Sequence, residues 1–418
     1  MRINYSLFFF AIFIFLLAFD IRSIEGSSKL FIILRASLGL LIGFFALRKI
    51  KYNKYSFNLI IITLIFSSYI FLVGLIRGQE VFQLFSLTMP YFFFLLGLII
   101  VSSSLRDLTD LKKLINLIFI FILISAIYRV SYVLAFQKIP LEEARYAIIS
   151  PTIILLFSYG ITSLLFGYKR NWLIPISLSI FIILLSVTRT YLLVFIAIFI
   201  FAIAILRIAP IIRNIGVSGT IISISFIFLF GTFSVTSAFL DIWENRLLFG
   251  DSILSDPTFL TRIAEIMFQV RVLLESNINI IFGMGAAAET RFASEFYTAL
   301  SMIFPQDYEY LGAGVGHNNY IGLIYVGGIF LGLTFIYHQF HAMWESFIFL
   351  RIFFKKTQTK RSETFLALWG SFSTFGYLSY GMLGGTFGDR LGSLSFGIAF
   401  GLMLLGIYKL QKTYRIKQ

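Results

Sequence analysis

Apolar runs close to 20 residues long, separated by short polar segments, recur along the whole chain. A helix needs about 17 to 25 apolar residues to cross a hydrocarbon core. The runs predict spans near residues 5–19, 30–47, 57–76, 81–101, 114–136, 148–167, 172–187, 190–206, 214–235, 318–337, 365–385 and 391–408. The expected fold class is all-α, a polytopic helical membrane protein with about 12 transmembrane helices; a β-barrel would alternate over segments of about 10 residues. One long polar stretch interrupts the pattern. It divides the chain into nine spans over 1–235, a large loop over 236–316, and three spans over 317–418 with a basic loop at 338–364. Long loops usually carry function or lack structure. The first run ends in AFDIRS, with no small-residue cleavage site, so an uncleaved span is expected there rather than a signal peptide.

Within the large loop, Asp256-Pro257 is a good helix start, a capping carboxylate followed by proline at the first helical position. Phe259, Leu260, Ile263, Ile266, Met267, Val270, Leu273 and Leu274 then recur at helical spacing, with Arg262, Glu265, Gln269, Arg271 and Glu275 on the opposite face. Such an amphipathic helix lies on a membrane surface or packs on the bundle. Arg262 sits in its first turn, where the helix dipole disfavours a cation unless an anion is near. A turn-like FGMG (282–285) follows, and the loop closes with Gly312, Gly314 and Gly316 just before His317. The tenth span starts at Asn318, and its Gly328 and Gly332 have the spacing that permits close helix contact.

Composition changes this picture little: 59% of residues are hydrophobic and 13% charged. The formal charge of +14 matters only through its location. With the amino terminus inside, 21 Lys and Arg fall on the inner side and 7 in short outer loops, with 4 more in the long loop. Cytoplasmic loops hold the excess of basic residues, so both termini are expected in the cytoplasm and the large loop outside. The charge is thus a topology signal, and no nucleic-acid surface is implied. The chain contains no Cys, which excludes disulfides, thiol catalysis and Cys-ligated metals.

Charges inside or between apolar runs carry more information. Arg35 and Arg129 lie within spans, where a charge is expensive and usually faces the bundle interior; both are also near enough to an outer end to snorkel. Arg189, in the SVTRTY knot between the seventh and eighth spans, sits at the outer surface, as a phosphate ligand or as an interfacial turn. Nine of the 11 outer basic residues are Arg, whose rigid fork matches phosphate oxygens bidentately. The outer side also holds 16 acidic residues, so an anion site there must be local. At the cytoplasmic end of the tenth span His338, His341 and Glu345 share a helical face; the adjoining Arg351, Lys355, Lys356, Lys360 and Arg361 favour contact with anionic membrane lipid over a metal cluster. Asp389 and Arg390, in the Gly-rich turn between the last two spans, are candidates to pair with each other.

Three stretches together resemble the O-antigen ligase/polymerase superfamily, bacterial membrane glycosyltransferases acting on polyprenyl-diphosphate-linked glycans. TRT around Arg189 resembles the family's Ser-Arg turn, with Thr188 in place of the usual Ser. TRIAEIMFQVRVLLESNINIIFGMG resembles its Arg-bearing loop helix and Gly-x-Gly turn, and HNNYIGLIYVGGIFLG its His-Asn span opening. The likeness covers residues 190–335 well and the first half by hydropathy alone. It implies catalytic roles for His317, Arg262 and Arg189, and substrate contacts from Asn318, Gly283, Gly285 and Arg291, without metal or cofactor. Arg189 and Arg262 would stabilise charge on the departing diphosphate. His317 would act as general base, imidazole having an intrinsic pKa of about 6.5; as a phosphate hydrogen-bond donor, or as a helix cap, it would have no base function. The implied partners are a polyprenyl-diphosphate-linked glycan donor, a glycan or lipid A core acceptor, membrane lipid and a chain-length regulator, at the bacterial cytoplasmic (inner) membrane. Polymerase is the expected activity; ligase, glycolipid transporter or flippase, and structural scaffold are the competing readings.

Overall fold

A computed structural model describes residues 11–12, 37–39, 54–103, 108–132, 148–166, 172–186, 188–206, 257–301, 310–356, 362–388 and 390–415. The first two expected spans are described only at 11–12 and 37–39, and the one near 214–235 lies outside the described residues, as do Arg35, Asp256 and Asp389.

The described chain is almost wholly helical. Its elements are α1 (Lys54–Ile76), α2 (Val81–Ser103), α3 (Leu108–Ser131), α4 (Thr152–Phe166), α5 (Leu173–Ser186), α6 (Arg189–Ile205), α7 (Pro257–Leu274), α8 (Asn277–Phe282), β1 (Glu289–Arg291), α9 (Tyr297–Ser301), β2 (Tyr310–Ala313), α10 (Asn319–Lys356), α11 (Ser362–Leu383) and α12 (Arg390–Arg415). Among the described residues four helices, lying within α1, α2, α10 and α12, are long and apolar enough to cross a membrane; α4, α5, α6 and the apolar part of α3 are shorter. Continuous Ile, Leu and Phe runs form helices in an apolar medium because every backbone polar group must then be satisfied within its own segment.

α12 is the central helix, 94% of its apolar window being buried. It packs on α2 and α11 through small residues that let backbones meet. A Cβ on Gly97 would lie 2.4 Å from the Leu394 carbonyl, one on Gly397 2.0 Å from the Phe94 carbonyl, and one on Gly370 2.1 Å from the Met403 nitrogen. α11 is tied to the chain around α4 by Trp369 Nε1, which donates to the Leu155 carbonyl at 2.9 Å, and by Tyr377 Oη, which donates to Pro151 at 2.8 Å.

α10 departs from its expected form in two ways. It continues to Lys356, so the first part of the expected 338–364 loop is helix. At its near end the helix is broken at Gly328, which has φ 72° and ψ 171°. The break leaves carbonyls of the preceding turn without their usual acceptor role. The loop fills it: Met284 N–H donates to Tyr325 O at 2.8 Å and Gly285 N–H to Val326 O at 3.0 Å. A side chain fits neither glycine at the crossing, since a Cβ on Gly283 would lie 2.3 Å from the Gly328 nitrogen and one on Gly328 2.1 Å from the Ile281 carbonyl. The Gly328/Gly332 spacing therefore serves a break and a loop contact. Gly332 lies against Leu323 and Ile324 of its own chain, where a Cβ would come within 2.8 Å.

The same loop grips the α1–α2 turn. Gln79 Nε2 donates to Met284 O (2.8 Å) and its Oε1 accepts from Ala287 N–H (2.9 Å), while Arg77 donates to Asn279 Oδ1 (2.8 Å). α7 packs on residues 292–300 through a small separate core of Ala264, Phe292 and Leu300. β1 and β2 form an antiparallel pair, Glu289 opposite Ala313 and Thr290 opposite Gly312, which hydropathy alone did not anticipate. This pair carries the chain into the three glycines and His317.

Candidate functional site

At the end of the bundle where the loop docks, a cavity of about 520 Å³ opens between seven separate stretches of chain. Its walls include Arg129 from α3, Thr188, Thr190 and Tyr191 around the start of α6, Arg262 from α7, Ala313 to His317, and Tyr380 to Gly388 from the end of α11 and its turn. Tyr191 and Tyr380 stack across one side with ring centroids 4.9 Å apart. Thr188, Thr190 and Tyr191, with Arg129, Arg262 and His317, thus border one space although they lie far apart in the chain.

His317 is placed by two neighbours in space. Gly312, Gly314 and Gly316 all have positive φ (141°, 104° and 72°), which bends the strand end sharply into the cavity wall. Glu265, on α7, then takes His317 with both oxygens: Oε1 accepts the backbone N–H at 2.9 Å and Oε2 meets Nδ1 at 2.8 Å. An ionised carboxylate only accepts, so Nδ1 is the donor in this contact. The Glu265 side chain is 2% exposed and that of His317 54%. Gln269, one turn further along α7, donates to Val315 O at 3.3 Å and is fully buried. Gly316 is obligatory, because a Cβ there would sit 1.8 Å from Glu265 Oε1.

α7 keeps its expected two faces only in part. Glu265 and Gln269 of the polar face are buried, and Phe259, Met267 and Leu274 of the apolar stripe are exposed, while Arg271 and Glu275 are exposed and Leu273 is buried. The helix begins at Pro257, which sets Arg262 in the second turn and one turn from Glu265 on the same face. Arg262 borders the cavity.

Arg189 is the first residue of α6 and half-buried; its flanking Thr188, Thr190 and Tyr191 border the cavity, but Arg189 itself is not among the lining residues. Arg129, which sequence left between snorkelling and an inward position, is 4% exposed and does line it. Its signal was a charge inside an apolar run. Glu265 gave none, because a carboxylate on a polar helix face resembles a solvated one.

The four expected substrate contacts lie elsewhere than the cavity lining. Asn318 caps α10: its Oδ1 accepts from Tyr320 N–H (3.1 Å) and Ile321 N–H (3.0 Å), and its Nδ2 donates to Met382 O (3.1 Å). Gly283 and Gly285 are pressed against the α10 break and against Gly74. Arg291 on β1 is exposed and pairs with Glu289 at 2.9 Å. Arg390 lies 3.4 Å from Ser86 Oγ. At the far end of α10, Tyr55 Oη donates to Glu345 (3.4 Å) and its ring meets His341 edge-on; no group of metal-binding side chains forms there or elsewhere among the described residues.

Neither protein-family models nor the curated proteins yield a match to this chain.

Proposed function

We propose that this chain is a membrane glycosyltransferase of the polysaccharide-polymerase type, moving a glycan from a polyprenyl diphosphate to a sugar hydroxyl of a second lipid-linked glycan. The carrying observation is the cavity in which Arg129, Arg262 and a carboxylate-held His317 meet beside the Arg189 turn. In this reading the acceptor hydroxyl oxygen attacks the anomeric carbon. The bond from that carbon to the diphosphate oxygen breaks, its electron pair leaves with the diphosphate, and the hydroxyl proton passes to Nε2 of His317. Arg129 and Arg262 face the growing negative charge in a partly enclosed site, where preorganised donors act most strongly. Twelve spans, an inner-membrane location with both termini cytoplasmic, a lipid A core acceptor (the ligase variant) and a chain-length regulator as partner belong to this proposal.

One observation favours a second reading. The break at Gly328 makes α10 a discontinuous helix, as in transporters of lipid-soluble or ionic cargo. The break here is capped by the loop backbone, which holds it in one form, and this weighs toward a fixed site.

The test is reconstitution of the purified chain in vesicles with lipid-diphosphate-linked glycan extracted from producing cells. His317→Ala and Arg262→Lys are each expected to abolish chain extension, with membrane insertion intact. Extension at the wild-type rate in both variants would overturn the proposal; glycan translocation without extension would favour the transporter.

A further inference from the structure

We infer that Glu265 is a positioning residue that fixes the tautomer of His317, so that the ring presents an unprotonated Nε2 to the cavity. For its catalytic consequence the inference rests on the glycosyltransferase reading; for its chemistry it stands on geometry alone.

A buried carboxylate loses its hydration and persists only where its oxygens are used. Here both are used, and by one residue: Oε1 by the His317 backbone N–H and Oε2 by ring Nδ1. The backbone contact prevents the carboxylate from swinging away, and the ring contact sets the imidazole plane. Clearance is built in, since Gly316 alone leaves room for Oε1. With the hydrogen on Nδ1, a neutral ring offers Nε2 a lone pair and nothing to donate. That suits a group which takes a proton from a hydroxyl and does not suit one which donates to a phosphate. When the acceptor oxygen bonds to the anomeric carbon and the diphosphate leaves with the electron pair, the hydroxyl proton ends on Nε2. The imidazolium then formed lies against the Glu265 carboxylate, which stabilises it. His317 is open enough to return the proton to water afterwards.

The plain alternative is that Glu265 only anchors the start of α10 by accepting the His317 N–H. Glu265→Gln separates the two, because its carbonyl oxygen still accepts that N–H while its amide nitrogen donates to Nδ1. The ring must then carry its hydrogen on Nε2. Nitrogen NMR of the full chain in detergent micelles, with labelled histidine and His317→Ala for assignment, is expected to show the Nδ1–H form in the wild type and the Nε2–H form in Glu265→Gln. In the reconstituted extension assay Glu265→Gln should lose about 10²- to 10⁴-fold in kcat with little change in KM, and Glu265→Asp should recover part of it. An Nε2–H ring in the wild type, or wild-type kcat in Glu265→Gln, would sink the inference. If the tautomer changes as expected but the wild type extends no glycan, the positioning role is supported and the glycosyltransferase reading falls.

Discussion

The residue that sets the site's geometry most tightly is Gly316. Any Cβ there collides with Glu265 Oε1, and φ of +72° strains a non-glycine residue besides. Gly316→Ala is therefore expected to push the carboxylate off His317, at a cost on the order of 1–3 kcal/mol. The histidine signals should then change as they do in Glu265→Gln, which NMR on the same labelled chain would check; an unchanged ring would mean the segment relaxes without releasing Glu265. Of the residues that matter, His317 and Arg262 were legible in the sequence because each is locally odd: a rare histidine after three glycines, a cation near a helix start. Glu265 was not, because its partner lies 52 residues away and local pattern places it among solvated side chains. Arg129 was half legible, since hydropathy marks a costly charge but not the wall it faces.

At the scale of elements, the Gly-x-Gly turn and the broken helix explain each other. Met284 and Gly285 replace the missing turn of α10 as donors to Tyr325 and Val326, and the turn can approach only because Gly283 and Gly328 at the crossing lack side chains. Gly283→Ala should separate the loop from α10, since the opposing atoms are backbone and cannot rotate away. We expect a loss of about 2–5 kcal/mol, combining backbone strain with overpacking. The thermal unfolding midpoint in detergent should fall, whereas Gly388→Ala, which meets nothing within 4 Å, should leave it unchanged. Comparable midpoints in the two variants would contradict this account. The turn was visible in sequence as glycine spacing, yet its work as a helix cap was not, because both partners contribute only backbone atoms.

For the whole molecule, the basic run that ends α10 and the cavity lie at opposite ends of that helix. Arg351, Lys355 and Lys356 extend α10 at one end, and His317 opens it at the other. The positive-inside bias then predicts that the cavity end faces away from the cytoplasm. The absence of Cys makes this directly measurable. Ser294→Cys in the exposed loop should react with an impermeant maleimide on intact cells or spheroplasts, and Lys412→Cys only after permeabilisation; the reverse pattern would invert the topology. Sequence by itself determined the helical, membrane-compatible class and the positions of most described helices. Transfer of a helix into lipid depends on the composition of a window of about 20 residues, and that is a local property. Tertiary structure alone decided which charges share a cavity, that α10 breaks at Gly328, and that Glu265 turns inward. Those outcomes depend on how closely backbones far apart in the chain can approach, and no window of neighbouring residues contains that information.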